Sequence, residues 1–150
     1  MSIASFLVWS LLMADPHADG EQLRGAAQWW RIPVDVFEGV AAVESGYKGG
    51  NNYRGAAGEI GRMQIKVGTA RDAGCAEPVE QRLREHGYNI ACGARILRGC
   101  YDRYGSWSKA IRCYNGSALP ASTVVYLEKV HREIGHRRLT VLDGIWRAPP

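Results

Sequence analysis

The chain has 150 residues, of which 46% are hydrophobic and 23% charged, which is the composition of an ordinary globular domain. This length supports one compact domain with a sizeable core, and the lack of repeats and low-complexity segments excludes fibrous, repeat and disordered proteins. The net charge of +4 weakly favours an anionic partner, but no nucleic-acid-binding motif accompanies it, so no nucleic-acid partner is expected.

Residues 1–18 form an N-terminal segment in which Ile3 to Met13 are an apolar run too short to span a bilayer. Small residues follow at Ala14 and Ala18, as near a signal-peptide cleavage site, but no Lys or Arg precedes the run. Two interpretations stay open: a truncated signal peptide, which is the one we favour, or a buried first helix. Neither is a stable membrane span, and the folded domain is expected at residues 19–146.

Two helices are predicted before the first glycine-rich segment. Asp19 with Gln22 is similar to a capping box, and the helix it would start carries Leu23, Ala26, Ala27 and Trp30 on one face. The second helix runs from Val34 to Ser45, between Pro33, which suits a first turn, and Gly46, which ends it.

Glu44 lies in the last turn of this second helix. The unpaired carbonyls of a helix C-terminus and the apolar residues before Glu44 both disfavour its negative charge, so both raise its pKa. A carboxyl that stays protonated near neutral pH is what a general acid needs. Acidic residues at helix ends are also commonly solvated or salt-bridged, so the position alone leaves that alternative open.

Residues 55–65, Gly-Ala-Ala-Gly-Glu-Ile-Gly-Arg-Met-Gln-Ile, have glycine at every third position until residue 61 and are unsuited to a helix. We predict a tight turn or irregular β-hairpin in which Met63 to Ile65 form the returning strand. In a strand Met63 would face the core and Gln64 the opposite side, toward a cleft. A core Met with a plain surface Gln is the alternative. Arg62 is predicted to be a solvated surface residue, with the alternative that it reaches toward an anionic substrate group.

Helices dominate the prediction for the rest of the chain. Thr69 and Ala70 open a short helix. Apolar residues then recur at helical spacing before Gly105, at Ile90, Ala94, Leu97, Tyr101 and Tyr104. A further helix follows Ser106 and leads to Tyr114, after which Asn115 and Gly116 are typical of a helix end.

The last predicted helix runs from about Ala121 to Gly135. Its inward residues are predicted to be Val124, Leu127, Val130 and Ile134. Tyr126 is four residues before Val130 and shares its face, so its ring and hydroxyl suit the boundary between core and surface.

The four cysteines lack a Cys-x-x-Cys pair and a His at zinc-ligand spacing, so no metal site is expected. Four cysteines permit three pairings. We predict Cys75 with Cys92 and Cys100 with Cys113, because each pair joins neighbouring predicted elements; free buried cysteines are the alternative. Disulfides favour an oxidising compartment.

Six elements, taken in order, together resemble the pattern of the soluble lytic transglycosylase domain. They are Glu44-Ser45, the run at 55–65, Thr69-Ala70, Asn89-Ile90 with Gly93, Tyr114-Asn115, and Tyr126 with Val130. The resemblance spans about residues 25–134 and implies a goose-type lysozyme-like fold: mainly α (α+β), a helical domain with a small irregular β-hairpin beside the cleft. It also implies that Glu44 is the catalytic acid/base and that the substrate-binding residues are Ser45, Met63, Gln64, Tyr114, Asn115 and Tyr126.

The reaction implied by the resemblance is cleavage of the bond between N-acetylmuramic acid and N-acetylglucosamine in peptidoglycan, with formation of 1,6-anhydromuramic acid and no cofactor. The alternatives are a hydrolytic lysozyme or chitinase on the same fold, in which Glu59 or Asp72 would be the second carboxylate, and a non-catalytic glycan-binding module. The expected location is periplasmic or secreted, in the bacterial cell envelope. Glycan strands are the expected partner, with an envelope-spanning secretion machine as a further one.

The chain departs from the family pattern at three places. Arg62 stands where an apolar residue is usual, Lys66-Val67 replaces Met-Pro, and Cys113 replaces Ala. None of these changes removes the acid.

Overall fold

The computed structural model describes residues 16–46, 54–116 and 121–141, and these are mainly α-helical, as predicted. The helices are α1 (Pro16–Trp29), α2 (Val34–Ser45), α3 (Val67–Asp72), α4 (Val79–Arg82), α5 (His86–Tyr104), α6 (Trp107–Tyr114) and α7 (Ser122–Val141). The signal-peptide interpretation concerns residues that lie almost entirely outside this description. Within the described residues, no helix has both the length and the apolar character required to cross a membrane.

Helix α2 packs between α1 and α7 and contributes the centre of the core, with Phe37, Val40 and Ala41 fully buried. Helix α7 approaches very closely at Gly39. A Cβ atom at that position would lie 2.9 Å from Cγ1 of Ile134 and 3.3 Å from Cγ1 of Val130. Glycine therefore allows the two helices to cross closely, which brings the first turns of α7 beside the end of α2.

Several helix ends agree with the sequence prediction. Helix α2 has the predicted bounds and ends at Gly46, whose φ is 57° and whose N–H donates to the carbonyl of Ala42. Helix α5 ends at Gly105 with φ 65°, the left-handed conformation that glycine adopts without strain.

Other helix ends correct the prediction. Helix α1 begins at Pro16, so Asp19 lies inside the helix instead of capping it. Helix α3 begins at Val67, two residues before the predicted start. Helix α7 continues through Gly135 to Val141, because a single glycine costs only about 1 kcal/mol in a helix that its neighbours favour.

The buried face of α7 also differs from the predicted one at Val124. Val124 is 39% exposed, whereas Thr123, Tyr126 and Val130 are buried. The buried residues are spaced by three and four, so they form one stripe on the helix. Of the four residues predicted to face inward, only Val124 is exposed; Val130 is fully buried and Leu127 and Ile134 pack against the core. Tyr126 lies on this buried face.

Both predicted disulfides are confirmed. Cys75 is bonded to Cys92 across a Cα separation of 5.8 Å, which joins the loop after α3 to α5. Cys100 is bonded to Cys113 across 5.9 Å, which joins α5 to α6. The second bond fixes the helix that ends at Tyr114.

Candidate active site

The glycine-rich segment forms an irregular hairpin with single antiparallel bridges, Arg54 to Ile60 and Ile60 to Ile65. The predicted strand from Met63 to Ile65 is wrong except at Ile65. Residues 61–64 form a tight turn, in which the N–H of Gln64 donates to the carbonyl of Gly61 at 3.1 Å and Gln64 has a φ of 47°. Left-handed backbone at a non-glycine residue is uncommon and is often found at functional positions.

Helix α5 holds this turn from one side. The side-chain oxygen of Asn89 accepts the N–H of Met63 at 2.8 Å, and its amide nitrogen donates to the carbonyls of Ile60 and Leu83 at 2.8 and 2.9 Å. A Cβ on Gly61 would collide with this amide, and a Cβ on Gly93 would lie 2.7 Å from Cγ of Met63. The signal in the sequence for this support was an Asn directly before Ile90, the first apolar residue of the predicted helix.

Met63 is fully buried, as strand alternation predicts, so its side chain does not line the cleft as the family resemblance implied. Its contribution to the site is its backbone carbonyl, which accepts the hydroxyl of Tyr114 at 2.8 Å. The side chain of Gln64 is partly exposed, and its amide nitrogen donates to the carbonyl of Gly61 at 2.8 Å. Asn115 follows Tyr114 at the exposed end of α6.

A charged group holds the turn from the other side, and here the prediction of a solvated Arg62 is wrong. Arg62 is only 3% exposed, and its Nε lies 3.2 Å from a carboxylate oxygen of Asp19, whose other oxygen is 2.8 Å from His86. Burial alone would raise the pKa of Asp19, but the hydrogen bond to His86 and the Arg62 guanidinium outweigh burial and hold that pKa below its usual value.

Ser45 belongs to this buried group and its side chain does not face solvent. Its hydroxyl donates to the carbonyl of Arg62 at 2.7 Å and accepts Nη1 of Arg62 at 2.9 Å. Ser45 therefore connects the end of α2 to the turn, and its buried side chain does not line the cleft.

Glu44 is half-buried at the end of α2, and Tyr126 of α7 donates its hydroxyl to Oε1 at 2.5 Å. Burial raises the pKa of Glu44 to about 7; the Tyr126 hydrogen bond opposes this rise and the negative charge of Glu59 adds to it. Burial and the nearby charge of Glu44 raise the pKa values of Tyr114 and Tyr126 well above the ordinary value, so both phenols stay neutral. Glu44 can thus gain or lose a proton near neutral pH.

Neither candidate for a second catalytic carboxylate is placed like Glu44. Glu59 accepts the N–H of Ala57 at 3.0 Å and lies 3.5 Å from Nζ of Lys66. Hydrogen bonds from its own backbone N–H and that of Ala57, together with Lys66, hold the pKa of Glu59 below its usual value. Asp72 is exposed at the end of α3. Among residues 16–46, 54–116 and 121–141, no three His, Cys, Asp or Glu side chains are grouped so that they could hold a metal ion.

Comparison with known proteins places this arrangement in context. A family model described as the Transglycosylase SLT domain matches residues 21–135. The chain is also 29% identical over 126 residues to a protein of Enterobacteria phage PRD1 named Transglycosylase, in an alignment that covers 75% of this chain. That alignment covers 45% of the phage protein, so the chain matches just under half of its relative.

Proposed function

Because the chain belongs to the Transglycosylase SLT domain family, we propose that it cleaves the glycan strands of peptidoglycan with Glu44 as its single acid/base. The bond cut would join N-acetylmuramic acid to N-acetylglucosamine. The observation that carries this proposal is the environment of Glu44. Its carboxyl is partly buried and has a pKa of about 7, and the neutral hydroxyl of Tyr126 donates a hydrogen bond to its Oε1 at 2.5 Å. An acid of this kind is half protonated near neutral pH and can serve in both directions of proton transfer.

The reaction needs no second carboxylate if the substrate supplies the nucleophile. Protonated Glu44 gives its proton to the glycosidic oxygen as the bond from that oxygen to C1 of the muramic acid residue breaks. The acetamido group of that residue assists at C1, and its C6 hydroxyl then forms the new bond to C1 while its proton returns to Glu44. The product is a 1,6-anhydro sugar, no water is consumed, and the acid is regenerated.

The other site residues have positioning roles in this proposal. The side chain of Gln64 and the exposed Asn115 would hold the sugar near its acetamido group. Tyr114 and Tyr126 would keep the turn and the acid in place, since their hydroxyls already bind the carbonyl of Met63 and Oε1 of Glu44. Positioning of this kind lowers the barrier by fixing the reacting groups before reaction.

One observation favours a hydrolytic lysozyme as the second candidate. The charge of Glu59 acts on Glu44, and a second ionised carboxylate near the acid is what a water-activating mechanism requires. Against it, hydrogen bonds and Lys66 already engage the carboxylate of Glu59.

Action on peptidoglycan would place the protein in the cell envelope, periplasmic or secreted. The two disulfides support an oxidising compartment. Association with an envelope-spanning secretion machine stays a prediction.

The test combines one variant with product analysis. Glu44→Gln keeps the size of the side chain but cannot exchange the catalytic proton, so it should bind glycan and lose cleavage on the order of 10³-fold. Glu38→Gln, on the same helix and half-buried, is the matched control and should keep full activity. Mass spectrometry of wild-type products should show muropeptides one water lighter than those a hydrolase releases. Reducing-end products would move the assignment to lysozyme, and an active Glu44→Gln variant would end the proposal.

A further inference from the structure

Arg62 connects three separate parts of the chain from a buried position. Its Nε pairs with Asp19 of α1 at 3.2 Å, and its Nη1 donates to the carbonyl of Ala41 and, at 2.9 Å, to the hydroxyl of Ser45. Ala41 and Ser45 both belong to the last turns of α2, on either side of Glu44 in the sequence. The guanidinium therefore binds the helix end that carries the acid.

The backbone of Arg62 is bound to the same helix end. The Ser45 hydroxyl donates to the carbonyl of Arg62 at 2.7 Å while it accepts from the guanidinium of the same residue. These two reciprocal hydrogen bonds fix both the main chain and the side chain of residue 62 relative to Ser45. Because Glu44 is the neighbour of Ser45, and Gln64 is two residues from Arg62, the two functional side chains are linked through this pair.

The turn that follows Arg62 needs such support. Gln64 has a φ of 47°, and left-handed backbone at a non-glycine residue persists only where the surroundings determine it strongly. Asn89 holds the turn from α5 through the N–H of Met63 and the carbonyl of Ile60. Arg62 holds it from α2, which is the side of Glu44.

We propose that Arg62 is a positioning residue, which fixes the Gln64 turn against the end of α2 so that Glu44 and Gln64 meet the sugar in one geometry. Asp19 neutralises and orients the guanidinium, and Ser45 completes the connection. The inference rests on the proposed function, because it assigns Arg62 a part in the same reaction. It makes no claim that Arg62 touches the substrate.

The experiment measures kcat and KM on soluble, uncrosslinked peptidoglycan strands for the wild type, Arg62→Met and Arg62→Lys, at a temperature where circular dichroism finds each fully folded. Met keeps an apolar stem but donates no hydrogen bonds. In Arg62→Met, kcat should fall on the order of 10²-fold with KM changed less than about threefold, because a misplacement of about 1 Å costs that much in rate. Lys keeps the charge without the planar fork, so it should restore thermal stability more than kcat.

A double-mutant cycle separates positioning from general destabilisation. If Arg62 acts through the turn, Arg62→Met should lower kcat by clearly less in a Gln64→Ala background than in the wild-type background, because one of the two residues it positions is already gone. An additive loss in that background, or wild-type kcat in Arg62→Met, would overturn the inference. If Arg62→Met does not fold, Ser45→Ala removes the same connection from the other side and should lower kcat about tenfold, again non-additively with Gln64→Ala.

Amide hydrogen exchange gives a readout that does not depend on cleavage. Arg62→Met should speed exchange at the N–H groups of Met63 and Gln64 while the amides in the middle of α5 keep their protection. Unchanged exchange in the turn would also overturn the inference. A wild-type protein that cleaves no glycan, together with faster exchange in the variant, would reject the proposed function and leave the role of Arg62 in fixing the turn.

Discussion

Two partly buried carboxyl groups, Asp19 near the start of α1 and Glu44 at the end of α2, have pKa values that are shifted in opposite directions. Burial raises the pKa of Glu44 to about 7, although Tyr126 donates a hydrogen bond to it. Burial acts in the same direction on Asp19, yet its pKa falls below the usual value because His86 and the Arg62 guanidinium bind it. The hydrogen bonds and charges of the partners, and not burial alone, therefore decide which carboxyl can act as an acid near neutral pH.

The difference assigns the two groups different tasks. A neutral phenol leaves Glu44 free to change its charge during a reaction, whereas a cation keeps Asp19 ionised and makes it part of the framework. Four predictions test this comparison, from the largest expected effect to the smallest.

Asp19→Asn should lower the free energy of unfolding by about 3 kcal/mol at neutral pH, because it leaves the buried Arg62 cation without its carboxylate. The pKa of Asp19 is lowered in the folded state, so its stabilisation is present above the ordinary pKa of 3.8 and is lost as the pH falls through the folded pKa. Urea unfolding of wild type and variant should therefore converge in acid. Asp102→Asn, in the exposed pair with Arg98, is the control and should change little. A gap between Asp19→Asn and wild type that persists unchanged into acid would show that the partner charge is not the cause.

Glu44→Gln should stabilise the protein in the opposite pH range. The pKa of Glu44 rises from 4.5 to about 7 on folding, so ionising it costs stability progressively between these values. Above pH 7 the Gln variant should be about 3 kcal/mol more stable than wild type, and near pH 4.5 the two should be equal. Unfolding curves across this range measure the effect. Equal stability of both proteins above pH 7 would contradict a raised pKa.

Removing the disulfide between Cys100 and Cys113 supplies a reference that does not titrate. Replacing both cysteines with Ala should lower the free energy of unfolding by about 3 kcal/mol, since the cross-link restricts the unfolded chain. The loss should be the same at pH 5 and pH 8. A loss that varies with pH in thermal or urea unfolding would indicate that α6 also alters the titration of Glu44.

Tyr126→Phe should have the smallest effect and tests the neutral partner directly. The phenol hydrogen bond favours the charged form of Glu44, so its removal should raise the pKa of Glu44 further. The alkaline limb of the pH–rate profile should then move to higher pH, and ¹³C NMR of the Glu44 carboxyl should report the same shift. A downward shift would mean that the phenol acts in another way.

Local signals in the sequence were sufficient for the bounds of α2 and for the direction in which the pKa of Glu44 is shifted. Pro33, Gly46 and the apolar residues between them define that helix, and Glu44 follows from its place in the last turn. Both disulfides were also predictable, because each joins cysteines that are close in the sequence, 17 and 13 residues apart.

The residues that were predicted wrongly depend on distant partners. Arg62 is buried because Asp19, 43 residues earlier, and Ser45, 17 residues earlier, surround it, and nothing near Arg62 in the sequence indicates this. Met63 faces the core as strand alternation predicts, but residues 61–64 form a tight turn in which Gln64 has a positive φ, which strand alternation does not anticipate. The contact between Tyr126 and Glu44 joins residues 82 positions apart, and only the family resemblance pointed to both.

The close crossing at Gly39 limits which sequences can preserve this domain. An alanine there would place its methyl group 2.9 Å from Cγ1 of Ile134 and 3.3 Å from Cγ1 of Val130, so these side chains would have to shift and would push α7 outward. Tyr126 lies on the same face of α7, two turns before Ile134, and would be carried away from the carboxyl that it now touches at 2.5 Å. Position 39 touches no reacting group, yet mutational scanning for activity should find it nearly as intolerant as the acid itself.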